Sequence, residues 1–205
     1  MYYIQNNFIV FTCDFDGIPT REILDLLKIH NCVSFTGSYN KSIDWLPDNI
    51  KEIHFETCLH GKKCSIKDMG YPSGFNQPIN NLPKSLKYLF LDCPSFDQSL
   101  DNLPLTLNDL IIDSYELSKS LDMLPESLTS LEIVSHTYNQ PLLNLPKSLE
   151  HLELKSPKYK YDDINKIIEN LPNLKMIVLN NSLKESLGNI SHNHKVTCLN
   201  TCKEN

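Results

Sequence analysis

The dipeptide Leu-Pro occurs six times, and its spacing constrains the fold of this chain more than any other feature. The copies begin at Leu46, Leu82, Leu103, Leu124, Leu145 and Leu171, which gives steps of 36, 21, 21, 21 and 26 residues. A period in this range is typical of solenoids, because one such unit cannot bury its apolar face alone and must stack on the next. We therefore expect one continuous stack of repeats.

The second half of each unit reads Leu-Pro-x-Ser-Leu-x-x-Leu-x-Leu. In the second unit its apolar positions are Leu82, Leu86, Leu89 and Leu91. The closing Leu-x-Leu alternates with a period of two, which predicts a short strand whose leucines face the core. Units stacked at a fixed period place these strands parallel in one sheet. The expected fold class is therefore α/β but mostly β, an elongated, slightly curved solenoid of about six repeats.

The first half of each unit encloses a polar pair between an aromatic and an aliphatic residue. The clearest copies are Phe-Asn-Gln-Pro-Ile at 75–79 and Tyr-Asn-Gln-Pro-Leu at 138–142. Proline at the fourth position favours an extended or turn-rich back over a helical one. The Asn, Asp or Ser at the second position is expected to hydrogen-bond the neighbouring backbone.

Together, Phe-Asn-Gln-Pro-Ile at 75–79 and Leu-Pro-Lys-Ser-Leu at 82–86 resemble the FNIP repeat family, a branch of the leucine-rich repeats. The resemblance covers about residues 39–180, and one unit departs from it with Leu-Ser-Lys at 117–119. It implies a leucine-rich-repeat-like solenoid that serves as a binding scaffold, with no catalytic residues to transfer. Such repeats occur in amoeboid protists and in the giant viruses that infect them. They stand alone there or follow an F-box, a short helical module that recruits ubiquitin-ligase machinery.

The irregular steps divide the chain into three regions. Residues 1–36 are expected to form an N-terminal cap of a helix and a strand, 37–182 the repeats, and 183–205 a C-terminal cap or tail. The 36-residue step exceeds 21 by 15 residues, which predicts an inserted loop at about 56–72. The 26-residue step exceeds 21 by five residues, which leaves room for a helix in the last unit.

Two segments have the spacing of an amphipathic helix. One follows Pro19-Thr20, and the other runs from Ile164 to Leu171 after a capping Asp162 or Asp163. Solenoids need atypical ends to cover their core, so caps are the simplest interpretation. Residues 18–24 also resemble the opening of an F-box, which leaves the substrate receptor of a ubiquitin ligase as an alternative.

Composition limits the class of partner. The formal charge is −6 and only one of the 19 basic residues is an arginine, so binding of nucleic acid or of an acidic membrane is not expected. Seven scattered cysteines are typical of a reducing compartment. With no signal-peptide pattern, we expect a cytoplasmic protein, in the host cytoplasm if it is viral.

Catalytic motifs are absent from the sequence, so an enzyme, a cofactor and a small-molecule substrate are not expected. His136 and His151 stand near acids and serines of adjacent repeats, which leaves a chance catalytic triad open. Cys93 occupies a column that is otherwise serine in the next three units, at Ser114, Ser135 and Ser156, and is predicted to be structural.

Two clusters of two His and two Cys could bind zinc, although neither has the Cys-x2-Cys spacing that makes such a prediction strong. The candidate ligands are His54, Cys58, His60 and Cys64 in the inserted loop, and His192, His194, Cys198 and Cys202 near the end. We expect no metal at either, and a polar loop and tail instead.

The remaining candidate is the face of the sheet that points away from the core. Phe90 and Ile111 are expected to be neighbours there, beside Tyr88 and near an acidic pair. Large amphipathic rings are enriched at binding hot spots. The predicted partner-binding residues are Tyr88, Phe90, Asp109, Ile111, Ser130, Glu132, His151 and Glu153. We expect a protein partner of basic character, with a structural role, for example in a virion, as a further alternative.

Overall fold

The computed structural model describes residues 1–56, 74–160 and 164–179. Within them, nine strands form one sheet in the order in which they occur along the chain. The strands are β1 (Tyr2–Gln5), β2 (Phe8–Phe11), β3 (Cys32–Thr36), β4 (Glu52–Glu56), β5 (Tyr88–Asp92), β6 (Asp109–Asp113), β7 (Ser130–Val134), β8 (His151–Lys155) and β9 (Met176–Leu179), and the helices are α1 (Arg21–Leu27) and α2 (Ile164–Glu169).

From β2 to β9 every neighbouring pair of strands is parallel and in the same register. Leu89, for example, lies opposite Leu110, which lies opposite Leu131. Each step between strands is one turn of the solenoid, so eight parallel strands make seven turns. The predicted parallel-sheet solenoid is confirmed, with one more turn than the six copies of Leu-Pro indicate.

The core lies behind the sheet and is built from the repeat leucines and an aromatic stack. In β5, for example, the two apolar residues of the Leu-x-Leu segment, Leu89 and Leu91, are both fully buried. Towards the N-terminal end, Phe35 stacks on Phe55 at 5.0 Å between ring centroids, and Phe55 stacks on Phe75 at 3.9 Å. Each buried aliphatic or Phe side chain contributes about 1.5–3 kcal/mol, so the repeat itself stabilises the stack.

The back of the solenoid is held by a ladder of side-chain oxygens that accept from the next turn. Asn40 Oδ1 accepts from the backbone N–H of Asn76 at 3.0 Å and from Gln77 Nε2 at 3.0 Å. Asn76 Oδ1 repeats this with the N–H of Asp97 at 3.0 Å and Gln98 Nε2 at 2.8 Å. The predicted backbone hydrogen bond of the Asn is confirmed, and the Gln proves to be the second donor in these two rungs.

The unit that contains residues 117–119 keeps this ladder with charged side chains in place of amides. Asp97 Oδ1 accepts from the Ser118 N–H at 2.8 Å, and Lys119 Nζ lies 3.4 Å from Asp97 Oδ2. Lys119 therefore occupies the Gln position, and a charged Asp–Lys pair replaces the Asn–Gln pair of the preceding rung. This explains why the residues at 117–119 depart from the sequence pattern without breaking the stack.

A second column, just after the strands, consists of buried hydroxyls and one thiol. Ser114 Oγ donates to the carbonyls of Pro94 at 3.1 Å and Phe96 at 2.8 Å, and Ser156 Oγ donates to that of Tyr138 at 2.7 Å. Cys93 occupies the same position one turn earlier and is 0% exposed. The prediction that Cys93 is structural agrees with this burial.

Both predicted helices are present. Thr20 caps α1 by accepting from the Ile23 N–H at 3.3 Å, and Ile23 and Leu27 are buried. In α2 the buried residues are Ile164, Ile167 and Ile168, while the predicted caps Asp162 and Asp163 lie outside the described residues. Neither helix has the length and apolar character needed to cross a membrane, and no other helix occurs in the described residues.

The sheet extends further towards the N-terminus than the sequence predicts. The predicted cap has one strand, around Val33 and Phe35, whereas the structure adds the antiparallel hairpin of β1 and β2 in front of it. Asn6 and Asn7 form the turn with φ angles of 48° and 71°. A two-residue turn with both φ angles positive matches the twist of a hairpin, and Asn tolerates it better than most residues.

Candidate interaction surface

The side chains of β4–β8 that point away from the core form three rows, which we call the outer face. Each row runs across the strands because the parallel register aligns equivalent residues. The first row is Glu52, Tyr88, Asp109, Ser130 and His151, the middle row is His54, Phe90, Ile111, Glu132 and Glu153, and the last row is Glu56, Asp92, Asp113, Val134 and Lys155.

The eight predicted partner-binding residues form one continuous block in this face. They occupy the first and middle rows of β5–β8, and Phe90 lies directly opposite Ile111, as predicted. Ile111 in turn lies opposite Glu132, and Glu132 opposite Glu153. Seven of the eight are partly exposed, whereas Glu153 is only 8% exposed. The strands therefore bring the predicted residues together.

The apolar part of the face extends beyond the predicted block. The ring of His54 lies 5.1 Å from that of Tyr88 and 5.8 Å from that of Phe90. On its other side it meets Phe8 of β2 edge-on at 4.7 Å. Phe8 is absent from the predicted site because β2 is absent from the predicted sheet. The continuous apolar run Phe-Ile-Val-Phe at 8–11, directly after the turn residues Asn6-Asn7, is the signal that could have located it.

The last row was missed for a related reason. The predicted strands end at the second leucine of Leu-x-Leu, but β5–β8 continue for one more residue, for example to Asp92 and Asp113. In four of the five strands β4–β8 this final residue is charged, so the apolar pattern does not mark it in the sequence. It adds carboxylates along one side of the middle row.

The charge of the outer face is mostly negative. It has seven carboxylates, from Glu52, Glu56, Asp92, Asp109, Asp113, Glu132 and Glu153, and one ammonium, from Lys155. The formal sum is 1 − 7 = −6, and Lys155 forms an ion pair with Glu153. Two pairs of acids lie directly opposite each other, Asp92 with Asp113 and Glu132 with Glu153. Like charges in such positions destabilise a sheet.

These environments raise the pKa values of several groups. Burial and then the charge of Glu153 raise the pKa of Glu132, and burial and then Asp92 raise that of Asp113. Burial also raises the pKa of Asp109. For Tyr88, burial acts first and the nearby carboxylates, beginning with Asp109, add to it. All these shifts favour the uncharged form of the acid.

Of the possible catalytic triad around His136 and His151, the structure shows one weak contact, between Ser130 and His151. Ser130 Oγ lies 3.4 Å from His151 Nδ1, a distance too long for a strong hydrogen bond. His151 Nε2 is buried and has no hydrogen-bond partner among the described residues. A catalytic histidine is oriented by an acid on its second nitrogen, and that acid is missing there. His136 instead stacks on Tyr115 at 4.9 Å.

The zinc candidates fall largely outside the described residues. Of the first set only His54 is described, and its Nδ1 lies 3.0 Å from Glu56 Oε1 and its Nε2 3.9 Å from Glu52 Oε2. Cys58, His60 and Cys64 lie outside the described residues, as does the whole second set. Within residues 1–56, 74–160 and 164–179, no three His, Cys, Asp or Glu residues form a group suited to a metal ion.

Comparison with known proteins identifies the repeat. Residues 118–156, which include β7 and β8, match the FNIP Repeat family model. The resemblance to FNIP repeats is confirmed there. No curated protein matches the chain.

The solved structures that match this chain include CroV588, a giant-virus protein described as a novel circular LRR protein structure. The two chains share 22% sequence identity with a TM-score of 0.57. The match covers 88% of this chain and 28% of CroV588, so this chain spans little more than a quarter of that protein. At this identity the similarity shows the fold alone, and that fold is a leucine-rich-repeat-like solenoid.

Proposed function

We propose that this chain is a non-enzymatic scaffold that binds a protein partner through its outer face. The FNIP and leucine-rich-repeat-like fold is compatible with a protein-interaction scaffold. A solenoid of this type offers an extended, regular surface, which suits a macromolecular partner.

The observation that carries the proposal is the arrangement of apolar and charged side chains in the outer face. His54, Phe90 and Ile111 lie side by side in the middle row, with Tyr88 beside them. Charged residues flank this centre in both outer rows. Binding sites commonly place aromatic and aliphatic anchors at the centre and polar groups at the rim.

The test is a pair of matched double variants. F90D/I111D places charge in the apolar centre, and L105D/L143D places the same charge on leucines outside the sheet that are 83% and 54% exposed. Partners are captured from native host lysate and identified by mass spectrometry. We expect F90D/I111D to lose the captured partner, because burying an unpaired carboxylate at the interface costs several kcal/mol, and L105D/L143D to retain it.

Circular dichroism and the unfolding midpoint show whether both variants remain folded. Retention of the same partner by a folded F90D/I111D would overturn the proposal. Loss by both double variants would place the binding surface elsewhere.

The alternative of a ubiquitin-ligase receptor has no comparable observation behind it. An F-box needs about three helices, whereas residues 1–36 contain three strands and the seven-residue helix α1. The virion-structural alternative is separated from the scaffold by sedimentation over a range of concentrations, where we expect no concentration-dependent assembly.

A further inference from the structure

We propose that the partner segment held by the outer face is an amphipathic helix whose apolar stripe is flanked by lysines and arginines. This inference rests on the proposed function, because it specifies the occupant of the same face. The argument uses the spacing of the three rows and the sign of their charges.

The width of the apolar row suits a helix. Successive rows are two residues apart along a strand, so the first and last rows lie about 13 Å apart. An α-helix with its side chains is about 10–12 Å in diameter and fits between them. From His54 on β4 to Glu132 on β7 there are three strand steps, or about 14 Å, which corresponds to roughly ten helical residues.

The flanks define the charge of that helix. Glu52 and Asp109 lie in the first row, and Glu56, Asp92 and Asp113 in the last, so carboxylates stand on both sides of Phe90 and Ile111. Lys155 is the one cation of the outer face, and it is already paired with Glu153. Lysine and arginine on either side of an apolar stripe would meet these carboxylates, and their cations could also contact the Tyr88 ring.

The facing pairs of acids favour the binding of a basic helix over that of an uncharged one. Asp92 opposite Asp113 and Glu132 opposite Glu153 are repulsive contacts that the fold tolerates. A bound cation between two such acids converts repulsion into attraction. An uncharged or acidic helix offers no such compensation.

The probes are three synthetic peptides of about 18 residues, long enough to cover the row with margin at each end. The first has leucines at i, i+3, i+4 and i+7 with lysine and arginine on the flanks. The second has the same composition in an order that destroys the stripe, and the third keeps the stripe with glutamate in place of the basic residues. Fluorescence anisotropy with the full chain measures their affinities at low and at physiological salt.

The first peptide is expected to bind about tenfold or more tightly than the other two, and more weakly as salt rises. D109N/D113N removes one carboxylate from each flank and should weaken binding about tenfold. D44N/D101N removes the same charge from exposed positions outside the outer face and should leave the affinity within about twofold. This control separates binding at the face from attraction by net charge.

Each outcome bears on a distinct claim. Equal binding of the striped and scrambled basic peptides, or equal loss in both Asn variants, would overturn the basic-helix inference. So would binding of the acidic peptide as tightly as the basic one. If the peptides fail while capture from lysate still depends on Phe90 and Ile111, the scaffold function stands and only the identity of the occupant falls.

Discussion

At the scale of single residues, two buried tyrosines in equivalent positions differ in one hydrogen bond. Tyr39 and Tyr138 both begin the back half of a repeat and are 1% and 0% exposed. The hydroxyl of Tyr39 donates to the Ser42 carbonyl at 3.1 Å. The hydroxyl of Tyr138 has no hydrogen-bond partner among the described residues. The residue three positions after the tyrosine is Ser42 in the first case and Pro141 in the second. Burial raises the pKa of Tyr39 to about 12 and raises that of Tyr138 as well.

This difference predicts opposite effects for the same substitution. Tyr138→Phe should raise the free energy of unfolding by about 1 kcal/mol, because it removes a buried hydroxyl that lost its water without gaining a partner. Tyr39→Phe should lower the free energy of unfolding by about 0.5–1 kcal/mol, because it removes one of the two hydrogen bonds to the Ser42 carbonyl, the other coming from Trp45 Nε1 at 3.0 Å. Urea unfolding at neutral pH measures both.

Phenylalanine already stands in this column at Phe75 and Phe96, so the fold accepts the ring without the hydroxyl. A destabilised Tyr138→Phe variant would contradict the prediction and would mean that a bound water satisfies the hydroxyl.

At the scale of the repeat, the fold was predictable because one spacing specifies both the strand and its register. The strands β4–β9 coincide with the Leu-x-Leu segments, and the helices with the two irregular stretches. The hairpin was not predictable in the same way. Strands of four residues such as β1 and β2 contain too few alternations to separate them from an apolar loop, and they lie outside the repeat.

The ladder on the back shows what a linear pattern hides. Read along the chain, Leu-Ser-Lys at 117–119 is a departure from the repeat. Read between turns, Lys119 replaces a Gln where Asp97 replaces an Asn, so the two changes compensate. The pair joins residues of neighbouring units, and only the stacking of turns brings them together.

This compensation predicts a non-additive double variant. D97N/K119Q recreates the Asn–Gln rung seen at Asn76 and Gln98, so its free energy of unfolding should lie within about 0.5 kcal/mol of the parent. D97N alone should cost about 1 kcal/mol, because it leaves Lys119 without its carboxylate. Urea unfolding of the four proteins gives the coupling energy. Simple additivity of the two single changes would contradict the exchange of rungs.

The same pair has a pH signature. Burial alone would raise the pKa of Asp97, but the Ser118 N–H, the Ser118 hydroxyl and the Lys119 ammonium outweigh it and hold the pKa below the ordinary 3.8. A depressed pKa stabilises the fold above the unfolded value and loses that contribution as pH falls through the folded one. The parent should therefore lose stability relative to D97N/K119Q below about pH 4.

At the scale of the whole molecule, charge is distributed more unevenly than composition reveals. The formal charge of the chain is −6, and the outer face alone sums to −6. Its acids are scattered along the sequence at one or two per repeat, and stacking concentrates them. The first two rows were predictable from the sequence, because alternation along a strand places these residues on the face of the sheet that the leucines do not occupy. The last row was missed, because four of its five residues are charged and no apolar pattern marks the end of the strand.

This concentration predicts an unusual dependence of stability on pH. Burial and the facing Glu153 raise the pKa of Glu132 above its ordinary 4.5. An acid whose pKa is raised by folding opposes the fold while it is ionised, and the folded state gains stability as pH falls through the raised value towards the unfolded one. Glu132→Gln removes this opposition, so it should raise the free energy of unfolding at pH 8 by about 0.5–1 kcal/mol after allowance for partial exposure.

The gain should disappear by about pH 4, where Glu132 is protonated in both states and the glutamine mimics the neutral acid. Glu116→Gln is the matched control, since Glu116 is exposed outside the outer face and the substitution removes the same charge. Urea unfolding at pH 8, 6 and 4 should show a stabilisation of Glu132→Gln that shrinks as pH falls, and no such trend for Glu116→Gln. A Glu132→Gln variant less stable than the parent at pH 8 would mean that neighbouring donors hold the carboxylate. The acidic face would then stabilise the empty solenoid, and a basic partner would have no repulsion to relieve there.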